Sequence, residues 1–278
     1  MAHFRFFTII FFLFLVSPLA FKAFAQTPIP GHAASLSNGT GGALLNQPNS
    51  IFVSGNFAFV ASTASNALEV IDITDPSLPT NKSNLSITDV TSVFVSGTNA
   101  FITCGGATNS LVVVDITDLS SLAILGSISD GTNGALLLNP VSVYVSGNYA
   151  YVASSGSNAL EIIDITSPAS PQHYASITDG TALLNSPNSV FVSGTNAFVA
   201  SYGSNALEII DVTDPSTPTH LGSLVDGSGA VLQNPTSVFV AGNFAYVSSQ
   251  ASNALEVIDI TDPTTPTHAG SLLNGTNG

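Results

Sequence analysis

Five aspartates recur at nearly equal intervals and are the first candidates for chemistry. They are Asp72, Asp115, Asp164, Asp211 and Asp259, with spacings of 43, 49, 47 and 48 residues. Catalysis needs unlike groups that converge on one point, whereas a residue repeated once per unit is spread over the molecule. Each aspartate also precedes Ile-Thr or Val-Thr and a turn, where its oxygens can accept local N–H bonds. We therefore predict a structural role for all five in their own turns.

Glutamates and histidines also recur, once in most repeats. They are Glu69, Glu161, Glu208 and Glu256, and His32, His173, His220 and His268. A ring of glutamates could bind cations, but we favour solvated positions at the edges of the sheets. Zinc needs ligands that converge at about 2 Å from one metal, and one histidine per repeat does not provide them. We expect the histidines to be strand-edge residues.

The Asp-Gly-Thr or Asp-Gly-Ser links that begin at Asp130, Asp179 and Asp226 faintly resemble calcium-binding loops. Calcium takes about 6–8 oxygen ligands, usually from several carboxylates. Each link has one aspartate, and two copies have Asn38 and Asn274 at that position. Turns are the favoured interpretation and no cofactor is expected, with calcium at the three aspartates as the weak alternative.

The elements that carry these residues repeat about every 47 residues. The segment SNALEVIDITDP at residues 65–76 returns unchanged at residues 252–263. In each copy two apolar runs flank a Gly-Asn or Gly-Thr turn, a third run is LEVID or a variant, and a weaker fourth run follows. Four short strands per repeat, apolar on both faces, predict an all-β fold with one four-stranded propeller blade per repeat. A β-solenoid is the alternative, although its coils usually repeat at shorter intervals.

The domain boundaries follow from the repeats. Residues 50–278 hold five full repeats and are predicted to form the β-propeller. Residues 26–49 are predicted to contain an extra outer strand and a link, because they resemble the end of a repeat. Two arrangements remain open at this stage. Five blades close the ring and leave one strand over, or the chain is part of a larger ring.

Residues 1–25 have the three parts of a secretory signal peptide. Arg5 precedes the apolar run at residues 6–16, and Ala23-Phe24-Ala25 supplies a cleavage site. The run is too short to span a bilayer, so no membrane insertion is expected after cleavage. Without this segment, Lys82 is the one Lys or Arg left in the chain. The 17 acidic side chains then give a formal charge of −16. Nucleic acid and anionic lipid are therefore unlikely partners, since both need basic side chains.

The motif LEVIDITDP, followed by GSL, resembles the LVIVD repeat across all five copies, and YVASSGSNALEIID at residues 151–164 is similar to the related YVTN-type surface propellers. The second copy departs from the pattern with Leu119 at the turn proline, and the third with Ser167 at the turn aspartate. The resemblance implies a β-propeller exported by a bacterium or archaeon, in families mostly without an assigned activity.

Residues that break the repeat symmetry are candidates for a unique site. They are Cys104, for which we predict a small buried side chain; Lys82, for which we predict an exposed loop; and Tyr174 and Tyr202. The chain has no Trp, so the tryptophan motifs of quinoprotein dehydrogenases and the Asp boxes of sialidases are missing, and neither G-x-S-x-G nor H-E-x-x-H occurs.

The sequence therefore predicts a non-enzymatic binding or surface-structural module that is secreted, periplasmic or at the surface of a bacterium. Its partner is expected to be a protein or a glycan. Two alternatives remain, a secreted hydrolase with a loop-built active site and a self-assembling surface-layer component.

Cleavage after Ala25 is the first testable outcome. We expect the exported protein to begin at Gln26, because the small residues of Ala23-Phe24-Ala25 follow the apolar run. Mass spectrometry of the intact protein from the culture medium and the cell envelope measures this directly. A full-length chain that stays in the cytoplasm would contradict the prediction.

Overall fold

The computed structural model describes residues 32–275, and the predicted signal peptide lies outside them. The compact unit described here begins at Ala34. It contains five antiparallel sheets of four strands each, in chain order. Short 3-10 turns occur at Thr40–Gly42, Thr63–Ser65 and Thr132–Gly134. No helix in residues 32–275 has the length and hydropathy needed to cross a membrane.

Each sheet is one sequence repeat, and the strands are numbered in chain order. Sheet 1 is β1 (Pro48–Ser54), β2 (Phe57–Ser62), β3 (Ala67–Asp72) and β4 (Thr80–Ser86). Sheet 2 is β5 (Val90–Ser96), β6 (Asn99–Cys104), β7 (Ser110–Asp115) and β8 (Ala123–Ser129). Sheet 3 is β9 (Pro140–Ser146), β10 (Tyr149–Ser154), β11 (Ala159–Asp164) and β12 (Gln172–Thr178). Sheet 4 is β13 (Pro187–Ser193), β14 (Asn196–Ser201), β15 (Ala206–Asp211) and β16 (Thr219–Val225). Sheet 5 is β17 (Pro235–Ala241), β18 (Phe244–Ser249), β19 (Ala254–Asp259) and β20 (Thr267–Leu273).

The first two strands of each sheet form the predicted hairpin. Gly55 and the equivalent glycines of the other hairpins have φ between 56° and 59°, a conformation that glycine adopts without a Cβ penalty. The all-β prediction of five four-stranded sheets is confirmed, and the solenoid alternative is wrong. The physical reason is that each strand pairs only within its own repeat, so the repeats stack as separate sheets.

Consecutive sheets pack face to face through two different surfaces. Face A of sheet 1 contains Phe59, Ala61, Leu68 and Val70, and it packs against face B of sheet 2, which contains Val93, Val95, Ile102 and Val114. Equivalent residues form the interfaces of sheets 2 and 3, 3 and 4, and 4 and 5. Both faces of a central sheet are therefore apolar, which explains why its strands lack the apolar–polar alternation of a half-exposed sheet.

An asparagine explains the segment between the second and third strands, which is SNA in four sheets and TNS in sheet 2. Asn205 has φ 53°, in the left-handed region that asparagine tolerates. Its carbonyl accepts the Asp226 N–H at 2.9 Å, and its side-chain Oδ1 accepts the Asn234 N–H at 2.9 Å. The link that leads to sheet 5 is thus bound at two points to sheet 4. Asn66, Asn109 and Asn158 make the same two kinds of bond.

Aromatic side chains of the first strands form a column that runs through all five sheets. The members are Phe52, Phe94, Tyr144, Phe191 and Phe239, with neighbouring ring centroids 4.6–5.1 Å apart. The column does not continue from Phe239 to Phe52, and the described residues form no packed interface between sheets 5 and 1. A ring closed by five blades, one of the two arrangements left open by the sequence, is therefore not formed.

Two local predictions are corrected by the structure. Residues 32–47 contain no strand, because each sheet already has a fourth strand from its own repeat and the predicted extra strand has no partner. Lys82 lies within strand β4 and not in a loop. It is the residue at the register shift between the pairs Val70–Ser83 and Ile71–Asn81, a shift that the fourth strand of every sheet contains.

The column generates a stability prediction. Phe94→Ala should lower the free energy of unfolding by about 2–3 kcal/mol, because Phe94 packs between two rings. Phe239→Ala is the matched control and should cost less than about 1 kcal/mol, since Phe239 ends the column and is 58% exposed. Urea unfolding at low protein concentration measures both. Equal losses would show that the column does not stabilise the stack.

Candidate functional site

The five repeated aspartates lie where each third strand ends, and each binds its own turn. The Oδ1 atoms accept the backbone N–H of the threonine two residues later at 2.8–2.9 Å. For Asp72, Asp115, Asp211 and Asp259, the threonine hydroxyl and then its amide hold the pKa of the carboxyl below its ordinary value. These four aspartates are thus kept ionised as local acceptors, and the five repeated aspartates occupy five separate sheets.

The three aspartates weighed as calcium ligands close the links between sheets. Asp130, Asp179 and Asp226 accept the N–H of Leu137, Leu184 and Leu232 at 2.8–3.1 Å. Asn38 makes the same bond to Leu45 with an amide oxygen, so the position needs an acceptor and not a charge. Within residues 32–275 no three His, Cys, Asp or Glu side chains come together as a metal-binding group.

The glutamates are fully buried, which corrects the prediction of solvated edge positions. Glu69, Glu161, Glu208 and Glu256 each have 0% exposure. They lie in the third strand and point to face B, towards the link that precedes the sheet; in sheet 1 the Leu44 N–H of that link binds Glu69. The sequence prediction was wrong because a charged residue inside an apolar strand suggests that the position is exposed to solvent. The partner that accompanies its burial lies about 12 residues away, on the neighbouring strand.

That partner is the repeated histidine. His173 Nδ1 lies 2.5 Å from Glu161 Oε1, and His220 Nδ1 lies 2.5 Å from Glu208 Oε1. His268 pairs with Glu256 in the same way. The fourth strand contains a register shift that places each histidine beside its glutamate. In sheet 3, Ile163 pairs with His173 and Ile162 pairs with Ala175, so the pairing skips one residue of the fourth strand. The histidines are therefore partners of buried acids rather than simple edge residues.

Sheets 1 and 2 have other residues at the two positions of the pair. In sheet 2, Val112 stands at the glutamate position and Ile124 at the histidine position. In sheet 1, Glu69 is retained and Asn81 replaces the histidine; Glu69 Oε1 and Asn81 Oδ1 both lack a hydrogen-bond partner. An apolar pair thus replaces the acid and base together, as expected if a buried carboxylate needs its own partner.

The second carboxylate oxygen binds the link that precedes the sheet. Glu161 Oε2 accepts the Leu136 N–H at 3.1 Å, and Glu256 Oε2 accepts the Val231 N–H at 3.3 Å. Burial raises the pKa of Glu161, which the His173 imidazole and the Leu136 amide lower in part. Burial also raises the pKa of Glu208, against the effect of His220. The pairs of sheets 3 and 5 therefore tie an outer strand, a third strand and a link together.

A polar cavity of about 410 Å³ lies where the first strands of all five sheets converge. Each strand supplies two consecutive residues, and no Asp, Glu, Lys, Arg or His lines the cavity. The lining residues are Asn49, Ser50, Thr91, Ser92, Val141, Ser142, Asn188, Ser189, Thr236 and Ser237. We call this space the axial cavity.

The serines of the axial cavity connect neighbouring sheets. Ser142 Oγ accepts the Val190 N–H, and Ser189 Oγ accepts the Val238 N–H, both at 3.2 Å. Ser50 Oγ accepts the Val93 N–H at the same distance. A hydroxyl that accepts in this way keeps its own proton for donation. The cavity thus presents hydroxyl donors and amide groups on a rigid set of strands.

Sequence analysis missed the axial cavity, although a signal was present. The third residue of every first strand is a serine, preceded by Asn, Thr, Val, Asn and Thr in sheets 1 to 5. From the sequence alone, this recurrent serine indicates only where each apolar run begins. Only the convergence of five strands brings these residues together.

The residues that break the repeat symmetry do not form a site with one another. Cys104 is buried, as predicted, and burial raises the pKa of its thiol to about 12, so it is not a nucleophile at neutral pH. Tyr174 packs on Tyr149 with ring centroids 4.8 Å apart. Tyr202 donates its backbone N–H to Ser186 and accepts from Asn234.

A second cavity lies between the link that precedes sheet 4 and the outer strand of that sheet, β16. It measures about 390 Å³ and contains the partly exposed His220 side chain, which pairs with Glu208. The other lining residues are Asp179, Gly180, Thr181, Ala182, Leu183 and Ser223. An imidazole oriented by a buried carboxylate is one part of a catalytic acid–base arrangement. The other part would be a hydroxyl, and Thr181 and Ser223 supply the hydroxyls that line this cavity.

The five sheets, packed in succession around the axial cavity, are blades of a β-propeller. The model of the LVIVD repeat matches residues 47–86, 88–130, 140–179, 186–226 and 234–274. The chain belongs to the LVIVD repeat family, as its motifs predicted. No curated protein matches the sequence.

Solved structures of low sequence identity share the fold. A protein from Lactobacillus plantarum is 15% identical, with a TM-score of 0.69 over 83% of this chain and 72% of that one. A candidate 6-phosphogluconolactonase from Bacteroides uniformis is 13% identical, with a TM-score of 0.69 over 84% and 74%. The Cps50 (Swd1) β-propeller domain of Myceliophteria thermophila is 13% identical, with a TM-score of 0.61 over 82% and 73%. At these identities the likeness shows the fold alone.

The Glu–His pair generates a prediction with an internal reference. His220→Ile should cost about 2–3 kcal/mol at about pH 8, because Glu208 loses its partner while it stays buried. Glu208→Val with His220→Ile should recover most of that loss, since sheet 2 folds with Val112 and Ile124. Urea unfolding of the two single variants and the double variant gives the coupling energy.

The pH dependence of the single variant follows from the raised pKa of Glu208. A raised folded-state pKa means stability that is present at low pH and lost as the pH rises through that value. The deficit of His220→Ile should therefore shrink from about pH 8 to about pH 5. Additive effects of the two substitutions, or a deficit that grows at low pH, would contradict a paired buried carboxylate.

Proposed function

We propose that this protein is an exported binding module that holds a neutral, hydroxyl-rich ligand, of which a glycan is the main class, without chemical turnover. The axial cavity carries the proposal. It is lined by hydroxyl and amide groups from five strands, with no ionisable side chain. Such a surface can exchange hydrogen bonds with sugar hydroxyls in both directions, and its volume lies in the usual range of small-ligand sites.

The distribution of ionisable groups supports binding without catalysis. The repeated aspartates accept bonds from their own turns, and the buried glutamates pair with histidines or links. Each group thus has a local structural use that recurs around the propeller. The chain has a formal charge of −14, which favours neutral or basic partners and disfavours acidic ones. A protein partner at the exposed loops is the other class that this charge allows.

A hydrolase is the second candidate, favoured by the cavity beside His220. There an oriented imidazole lies with Thr181 and Ser223 among the lining residues. The same Glu–His pair recurs in sheets 3 and 5, however, and an apolar pair replaces it in sheet 2. A group that repeats as part of the scaffold is weaker evidence for catalysis than a unique constellation.

Saccharide binding to the purified chain tests the proposal. We expect glycan-array and calorimetric binding that falls about tenfold or more in the double variant Ser142→Ala, Ser189→Ala, because each lost hydrogen bond contributes about 1 kcal/mol. The matched control is Ser146→Ala, Ser193→Ala, which removes two serines from the opposite ends of the same strands, β9 and β13. The control should bind as the parent chain does.

Two results would contradict the proposal. Equal effects of the cavity pair and the control pair would show that the axial cavity does not bind the saccharide. Turnover of ester, lactone or glycoside substrates that disappears in His220→Asn, with folding intact, would favour the hydrolase.

A further inference from the structure

The link that precedes sheet 4 is shorter than the link that precedes sheet 3. Residues 179–184 read DGTALL and residues 130–137 read DGTNGALL, so the link to sheet 4 lacks an Asn-Gly pair. Each link begins with an aspartate whose Oδ1 accepts the N–H of the last leucine. The two links therefore begin and end at equivalent points, and they differ in what the Asn-Gly pair covers.

In the link to sheet 3 this pair covers a histidine. Asn133 Nδ2 donates to Gln172 Oε1 at 3.2 Å, which ties the link to the outer strand β12. A Cβ added to Gly134 would lie 3.9 Å from His173 Nε2, so this glycine lies against the imidazole. The His173 side chain is 23% exposed, whereas the His220 side chain is 43% exposed. The short link thus leaves the His220 imidazole open to a cavity.

That cavity has a volume of about 390 Å³ and lies between residues 179–183 and two residues of β16, His220 and Ser223. We call it the link cavity. On its inner side, His220 Nδ1 lies 2.5 Å from Glu208 Oε1. A neutral imidazole that donates its Nδ1 proton to a carboxylate has an unprotonated Nε2 on the other side of the ring. His220 therefore supplies a hydrogen-bond acceptor to the link cavity.

Two further residues add acceptors to the link cavity. Asp179 Oδ1 accepts the Leu184 N–H at 3.1 Å, which leaves its second carboxylate oxygen for the cavity. Thr181 Oγ1 donates its proton to the Thr178 carbonyl at 2.8 Å, so its lone pairs are left for a donor. The polar groups with a fixed role are thus all acceptors, and one of them is a carboxylate.

This set of groups matches an alkylammonium ion. A primary ammonium has a positive charge and three N–H donors, and its methylene groups can lie on the apolar part of the wall, at Ala182 and Leu183. A metal ion fits less well, because no three His, Cys, Asp or Glu side chains come together within residues 32–275. The formal charge of −14 also favours a cation.

We propose that the link cavity binds an aliphatic primary ammonium group. Its N–H groups donate to Asp179, to His220 Nε2 and to Thr181, and its methylene groups lie on Leu183. A lysine side chain of a partner and a free polyamine both carry this group, so the experiment includes both sources. The link cavity is separate from the axial cavity, and the proposal does not depend on the saccharide proposed there.

NMR titration of the backbone amides tests the proposal. Nα-acetyl-lysinamide represents the lysine side chain and cadaverine the polyamine, at about pH 8, where imidazoles are neutral and alkylamines are charged. We expect shifts in residues 180–183 that saturate with a Kd on the order of 1 mM for at least one of them. The tighter ligand identifies the source. Nα,Nε-diacetyl-lysinamide, which has no charge, should cause no shift.

An isosteric substitution isolates the carboxylate. Asp179→Asn removes the charge and should keep the fold, because Asn38 makes the same kind of link bond to Leu45 with an amide oxygen. It should weaken amine binding at least about threefold. Asp226→Asn is the matched control, since Asp226 makes the equivalent bond in the link that precedes sheet 5. The control should bind the amine as the parent chain does.

An insertion closes the cavity without changing its residues. Asn-Gly inserted between Thr181 and Ala182 gives this link the sequence DGTNGALL of residues 130–137. The longer link should cover His220 and abolish the shifts. The double variant Ser142→Ala, Ser189→Ala, which alters the axial cavity, should bind the amine unchanged. A failure of this proposal can thus be told apart from a failure of saccharide binding.

Four results would overturn the proposal. They are a parent chain without shifts at about 20 mM of either amine, equal shifts with the diacetylated compound, equal weakening by Asp179→Asn and Asp226→Asn, and amine binding that persists in the insertion variant.

Discussion

The apolar contact between face A of one sheet and face B of the next is the interaction on which the rest of the structure depends. A single four-stranded sheet with two apolar faces cannot be stable in water, so each repeat needs neighbours on both sides. This requirement explains the small and large side chains on the strands, the aromatic column and the burial of the third strand. It also explains why Ile51 and Val53 in sheet 1 and Leu255 in sheet 5 are exposed, while their equivalents in the other sheets are buried.

Each buried glutamate of this stack has at least one hydrogen-bond partner. The Glu–His pair joins a third strand to an outer strand, while the other glutamate oxygen binds a link. Asn205 and its equivalents bind the link that follows each sheet. These bonds hold the links in place, and the links set how one sheet meets the next. Val112 and Ile124 occupy the two positions in sheet 2, so an apolar pair also fits between the sheets.

Stacking also produces the candidate site. A serine on one first strand has no special environment by itself. Five first strands that converge place their serines and the residues before them around one axial cavity, and the serine of one sheet accepts an N–H from the next. The same contacts that fix the spacing of the sheets therefore fix the spacing of the hydroxyl groups. A binding module built in this way needs no unique catalytic residue.

The sequence by itself determined the local structure. Its period predicted the five sheets, the glycine turns predicted the hairpins, and LEVIDITDP identified the family, because these features depend on neighbouring residues and repeat along the chain. It did not show that Glu161 is buried, that His173 is its partner, or that residues 32–47 lack a strand. Only the tertiary structure decided these points and the open contact between sheets 5 and 1, because burial and pairing depend on residues far apart in sequence that packing brings together.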